Sequence, residues 1–271
     1  MAGAAYFQRL LLIATAIAAG LLPTLALAAE PASLQGFSAS YKVRYGILGG
    51  KMTLELRRHG DDYVYETSLQ PSGFVSWLRR GEIRERTTLR VLGGAVQPLD
   101  YTNNDTIARP PRFAGYVFGE DVGRVTGEYK SRAVDEAMRP GGQNRISAQV
   151  AIFHALQIEK EISGLAVFDR ARWRDFEFEF LPGQVVQTPA GKFDTVEVRY
   201  ASADKEKSWS LYCAYDLGYL PVLIEFREDG KTKSRAELSK YRLDENRGLT
   251  PINSVSTDPP LENEVFFVDI H

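Results

Sequence analysis

The sequence predicts a mainly β protein: a curved antiparallel sheet, shaped as a half-open barrel of roughly a dozen strands, with one amphipathic helix covering its concave face. Two observations carry this expectation. Between Phe37 and Leu243 most stretches alternate large apolar with polar side chains, the period of a half-buried strand. Only the stretch after Pro140-Gly141-Gly142 switches to helical spacing.

The chain begins with a leader. Arg9, the apolar run from Leu10 to Leu22, the break at Pro23 and the small residues Ala26 and Ala28 follow the order of a secretory signal peptide, with cleavage expected after Ala28 and the periplasm as the destination. An uncleaved membrane anchor is the alternative, because Leu10 to Ala28 approaches the length that spans a bilayer. Gly20 and Pro23 interrupt the segment where a cleavage region begins, which favours removal. Residues 1–28 are thus assigned to the leader, 29–245 to a single β-rich domain and 246–271 to a polar, flexible tail with a strand-like end at Val265-Phe266-Phe267-Val268.

Tyr41, Val43 and Tyr45 form the first alternating set, Met52, Leu54 and Leu56 the second, and Tyr63 and Tyr65 follow the turn at His59-Gly60-Asp61-Asp62. Gly49-Gly50 is expected in the first hairpin turn. Asn103 to Gly142, with Pro110-Pro111 and several glycines, reads as less regular and suited to long loops. After Gly142, Asn144 is placed to cap a helix in which Ile146, Val150, Phe153 and Gln157 share a face, with Gly164 at its end. Further on, Phe176, Phe178 and Phe180 alternate with Glu177 and Glu179, then Val196, Val198 and Tyr200, then Val222, Ile224 and Phe226 ahead of the hairpin pair Asp229-Gly230. A meander is the simplest topology for consecutive antiparallel strands.

Composition excludes several function classes. With 33 basic and 35 acidic residues the chain lacks the positive excess that a nucleic-acid backbone requires, so no nucleic acid is expected as a partner. The lone cysteine, Cys213, cannot form an internal disulfide and alternates with Trp209, Leu211 and Tyr215 as a buried residue does. There is no Gly-x-Ser-x-Gly, no His-Glu-x-x-His, no Cys-x-x-Cys and no phosphate-cradling glycine loop. Ser147 and His154 share a helix face but stand about two turns apart, too far for a direct hydrogen bond. No enzymatic activity, catalytic residue, cofactor or metal is therefore expected.

The stretch Tyr41-Lys42-Val43-Arg44-Tyr45-Gly46-Ile47-Leu48-Gly49-Gly50-Lys51-Met52-Thr53-Leu54, the helix start Asn144-Arg145-Ile146-Ser147, and the turns Thr188-Pro189-Ala190-Gly191-Lys192-Phe193 and Tyr215-Asp216-Leu217-Gly218-Tyr219-Leu220-Pro221-Val222 resemble the exported bacterial proteins of domain-of-unknown-function family 3108. The resemblance implies a periplasmic β-rich domain and transfers no active-site residue. The family more often carries aspartate where this chain has Asn144. In expected shape the chain is also similar to the half-barrels of lipoprotein carriers, which hold acyl chains in an apolar cleft.

These readings lead to a non-enzymatic periplasmic protein, monomeric or weakly oligomeric, that binds an apolar ligand, lipid or lipoprotein in a cleft between sheet and helix. The expected lining is Tyr41, Tyr45, Phe153, Leu156, Phe176, Phe178 and Phe180. The alternative is a cell-envelope interaction or assembly factor whose partner is an envelope protein. Two surface features bear on it. Arg80, Arg84, Arg86 and Arg90 give one strand a largely basic face, which meets anionic headgroups or is neutralised by Glu82 and neighbouring strands. Phe74-Val75-Ser76-Trp77-Leu78 reads as an apolar lip or as an ordinary buried strand.

Overall fold

A computed structural model describes residues 33–73, 80–202 and 207–244. The leader, the Phe74–Leu78 segment and the C-terminal tail lie outside the described residues.

The alternating stretches become one 17-stranded sheet, more strands than the dozen expected. Its first half comprises β1 (Phe37–Tyr45), β2 (Leu48–His59), β3 (Asp62–Ser72), β4 (Ile83–Leu92), β5 (Ala95–Pro98), β6 (Asp100–Asp105), β7 (Arg112–Gly119), β8 (Arg124–Tyr129) and β9 (Arg132–Ala137). A short β10 (Gln143–Asn144) leads into the helix α1 (Ser147–Gln157). The second half comprises β11 (Gly164–Asp169), β12 (Arg172–Leu181), β13 (Val185–Thr188), β14 (Gly191–Ser202), β15 (Lys207–Ala214), β16 (Leu220–Glu228) and β17 (Lys231–Leu243).

Two meanders are joined through β1, which pairs antiparallel with β2 on one side and β17 on the other. From β2 the ladder runs outward to β9, with β5 and β6 sharing β4. From β17 it runs through β16, β15, β14, β12 and β11 to β10, whose pairing with β11 is parallel. No ladder joins β9 to β10 among the described residues, so the barrel is not closed by backbone pairing. Side chains span the seam instead. Phe168 of β11 packs edge-on against Tyr116 of β7 with ring centroids 5.0 Å apart, and Trp173 Nε1 donates to the Ala137 carbonyl of β9 at 2.8 Å.

Several local expectations are corrected. Asn103 to Gly142 is mostly strand: β6 to β9 form successive hairpins. Small residues such as Ala114, Gly115 and Gly127 occupy positions where large apolar side chains elsewhere mark the period. The first hairpin turn is Gly46-Ile47, with Gly46 at φ 57°, and Gly49-Gly50 lies within β2. The helix ends at Gln157, and Gly164 opens β11, where a Cβ would stand 2.7 Å from the Phe176 carbonyl oxygen. Asp229-Gly230 forms the two-residue turn between β16 and β17 as expected.

The register defines one inward face. Val198, Leu211, Ile224, Ala236 and Val43 align across β14, β15, β16, β17 and β1. Asn144, expected as the helix cap, instead sits two residues before the N-cap Ile146, which has no side-chain cap bond, and its Oδ1 accepts the amides of Ile146 and Ser147 in the turn that leads into the helix. The helix then buries Val150 and Phe153 in the core that also holds Leu54, Leu56, Tyr41 and Leu238. Opposite charges cover the outward face. On β4, Arg84 pairs with Glu82, Arg86 with Glu66 and Arg90 with Asp62, so its basic row is neutralised.

Candidate functional site

The helix fills its end of the half-barrel. Between Phe153 and Gln157 of α1 and Leu34, Phe37, Leu56, Leu217, Leu220 and Leu243, the remaining space is about 10 Å³. That is room for about one water molecule, not for an acyl chain. The expected cleft between helix and sheet is therefore filled at this end.

Beyond the helix the same face is only partly covered. Phe178, Tyr200, Trp209, Phe226 and Ser234 occupy one inward row on β12, β14, β15, β16 and β17, and the row ends at Tyr45 of β1. Tyr200 stacks on Trp209 with ring centroids 5.3 Å apart, Trp209 meets Phe226 at 5.0 Å, and Phe178 meets Tyr200 at 5.7 Å. Phe176 joins by edge contacts to Tyr200 and Trp209. Phe176, Phe178, Tyr200, Trp209 and Phe226 are all half-buried, whereas Val198, Leu211 and Leu238 deeper on the same face are fully buried. These partly accessible rings form an aromatic wall, and the inward side they border is here termed the trough.

The residues expected to line a cleft fall into three groups. Phe176 and Phe178 belong to the trough wall, and Tyr45, 54% exposed, stands at its mouth. Tyr41 and Phe153 are sealed in the core, with the Tyr41 hydroxyl donating to the Pro221 carbonyl at 2.8 Å, while Leu156 is half-buried on the helix. Phe180 is 38% exposed because β11 pairs with β12 only as far as Glu177, leaving β12 an open edge beyond it.

A polar floor completes the trough, and it escaped the reading of alternation. Ile83, Glu85, Thr87 and Leu89 are the inward residues of β4, so Glu85 faces the interior and is 5% exposed. An acid within an otherwise apolar or small set was the available signal. The Tyr101 hydroxyl donates to Glu85 Oε1 at 2.6 Å, and Arg145 Nη2 donates to Glu85 Oε2 at 3.0 Å. Burial, then Glu85, push the Tyr101 hydroxyl well above its ordinary value, so it stays protonated and donates. Arg145 is held above its ordinary value chiefly by Glu85, and its field also reaches Tyr101, Asp169 and Tyr200. Those partners sit on β4, β6, β11 and β14, which places the guanidinium between facing walls. Nevertheless 47% of the Arg145 side chain is accessible, as expected of a group projecting into open space.

A second concavity lies on the outward side. Lys42, Arg44, Lys51, Glu237 and Ser239, with Pro189 of the β13–β14 turn, border a groove of about 630 Å³. Among the described residues no cluster of three or more His, Cys, Asp or Glu side chains forms a metal site. Cys213 is buried, and burial pushes its thiol far above the ordinary value, which disfavours the thiolate. No helix among the described residues is long and apolar enough to cross a membrane.

Fold and trough together define a β-barrel-like protein with an incompletely closed sheet and one end plugged by a helix. The sequence profile of the family described as "Protein of unknown function (DUF3108)" matches residues 37–235, and the chain belongs to that family. The crystal structure of a β-barrel-like protein of domain-of-unknown-function DUF1849 from Brucella abortus is similar to this chain, with TM-score 0.53 and 10% identity over 79% of this chain and 100% of that one. That likeness shows a shared fold. A protein with a YmcC-like fold from Bacteroides fragilis is matched at 11% identity over 78% of this chain and 97% of that one, with TM-score 0.31. No curated protein matches the sequence.

Proposed function

We propose that the protein is an exported, non-enzymatic binding protein that holds the acyl chain of a lipid or lipoprotein in the open half of its barrel. The carrying observation is the aromatic row Phe178, Tyr200, Trp209 and Phe226, in ring contact on an inward face yet only half-buried. A barrel that needs no ligand gains by closing over such a row, since burial is worth roughly 25 cal/mol per Å² of apolar surface. Each buried methylene contributes about 0.8 kcal/mol, against an association cost of at least about 4 kcal/mol. On these figures about five buried methylenes offset the minimum cost, and each further one tightens binding about fourfold. The leader from Arg9 to Ala28 supports export.

Native mass spectrometry with lipid extraction, on protein purified gently from its own envelope, tests the reading. A stoichiometric acyl adduct that is lost in a folded Phe178→Glu variant is the expected result. Protein that emerges empty under conditions that retain lipid on an established carrier overturns it.

The outward groove supports a second reading, an envelope interaction factor without a small ligand. Lys42, Arg44 and Lys51 outnumber Glu237 there, which suits an acidic protein partner. Cross-linking from a photoreactive residue at position 42 tests it: a single envelope protein captured in a salt-sensitive manner supports this reading, and no specific adduct removes it.

A further inference from the structure

We propose that the ligand of the trough is an amphiphile with an anionic head, carboxylate or phosphate, and that Arg145 receives this head at the floor while the chain lies along the aromatic wall. The inference rests on the acyl-binding reading above and adds the chemistry of the other end of the ligand.

Arg145 is built on a rigid base. Asn144 before it is buried, with its Nδ2 donating to Thr87 Oγ1 at 2.8 Å, and Ile146 after it is buried in the core. From this base the side chain bonds Glu85 at 3.0 Å, and its field reaches Tyr200 of the aromatic wall. A guanidinium carries five N–H donors. Among the described residues the hydrogen-bond partner of this one is Glu85 Oε2 alone.

The asymmetry of the pair decides its use. Both oxygens of Glu85 are engaged, one by Tyr101 and one by Arg145, and its side chain is 7% exposed. Arg145 is the partner with unused donors and accessible surface. The accessible donors of the guanidinium carry water that an incoming anion can displace, whereas the buried carboxylate is already saturated. An arriving carboxylate or phosphate oxygen supplies charge-assisted hydrogen bonds to those donors, with the bidentate geometry that guanidinium favours. A second cation shares the inward face of β12: Arg174, two residues before Phe176, has a buried Nε without a hydrogen-bond partner. Asp169 is the opposing acid in reach of Arg145, and it lies 3.7 Å from Arg170.

Calorimetry on the purified protein tests the inference, comparing palmitate with hexadecanol and phosphatidylglycerol with diacylglycerol, which lacks the phosphate. The expected result is about tenfold tighter binding of the anionic member of one pair, the size of a single charge-assisted bond. Arg145→Met abolishes that preference by weakening the anionic ligand most, Arg145→Lys restores part of it, and Glu85→Gln tightens the anionic ligand most by freeing the guanidinium. Preference within the palmitate pair identifies a free acid, and within the phosphatidylglycerol pair a membrane lipid. Equal binding of charged and neutral members, or a preference that survives Arg145→Met, overturns the inference while leaving acyl binding intact. Failure of all four ligands to bind overturns the acyl-binding reading and this inference with it.

Discussion

Asn144 and Ser147 exchange hydrogen bonds across the turn that enters the helix: Asn144 Oδ1 accepts the Ser147 amide at 2.9 Å, and Ser147 Oγ accepts the Asn144 amide at 2.9 Å. This exchange satisfies backbone donors at a fully buried helix start, where no water reaches them. Asn144→Ala is expected to lower stability by about 2–3 kcal/mol, from the lost turn bonds to Ile146 and Ser147 and the lost buried bond to Thr87. Asn144→Asp keeps the acceptor and costs less. Urea denaturation of the three proteins checks the order Asn, Asp, Ala, and an alanine variant as stable as the parent refutes a stabilising role for these turn bonds.

The seam between the two ends of the sheet depends on side chains rather than on a ladder. Trp173→Ala removes both the bond to the Ala137 carbonyl and the edge contact with Phe168. Hydrogen exchange is expected to accelerate in β8, β9 and β11 while β1, β2 and β17, paired on both sides, keep their protection. Uniform acceleration throughout the sheet contradicts a local seam.

Trough and core residues should separate under truncation. Phe168→Ala, at a fully buried ring, is expected to cost about 3–5 kcal/mol of stability. Trp209→Ala, at a half-buried ring, should cost visibly less while weakening acyl binding roughly tenfold or more. Thermal melts beside ligand titration make the comparison. If Trp209→Ala destabilises as much as Phe168→Ala, the wall is core.

His154 makes stability depend on pH. The residue is 2% exposed, neither ring nitrogen makes a hydrogen bond of good geometry, and burial, aided by Lys160 and opposed by nearby Gln157, holds the imidazole below its ordinary value. Above the unfolded imidazole's pKa of about 6.5 neither state binds the proton. As the pH falls below it, the unfolded chain takes up a proton that the folded one refuses, so stability declines until the folded imidazole itself titrates. His154→Phe should flatten this slope between about pH 7 and 5 in denaturant titrations. An unchanged slope assigns the pH dependence to other groups.

Much of this molecule was readable from residue order. Alternation at Tyr41, Val43 and Tyr45, the helical spacing from Ile146 to Gln157 and the Asp229-Gly230 pair specify strands, one helix and a hairpin, because those patterns report local geometry. They also placed Phe176 and Phe178 on one face. Local geometry does not reveal which inward row the helix will cover, so Tyr41 and Phe178 looked equivalent although one is sealed and the other faces the trough. Nor does it reveal that Arg145 and Glu85, 60 residues apart in sequence, meet at the floor. Sequence by itself determined the sheet, the helix and the inward face. Only the tertiary structure decided where that face stays open and which charge waits there, because both depend on how distant strands curve around one short helix.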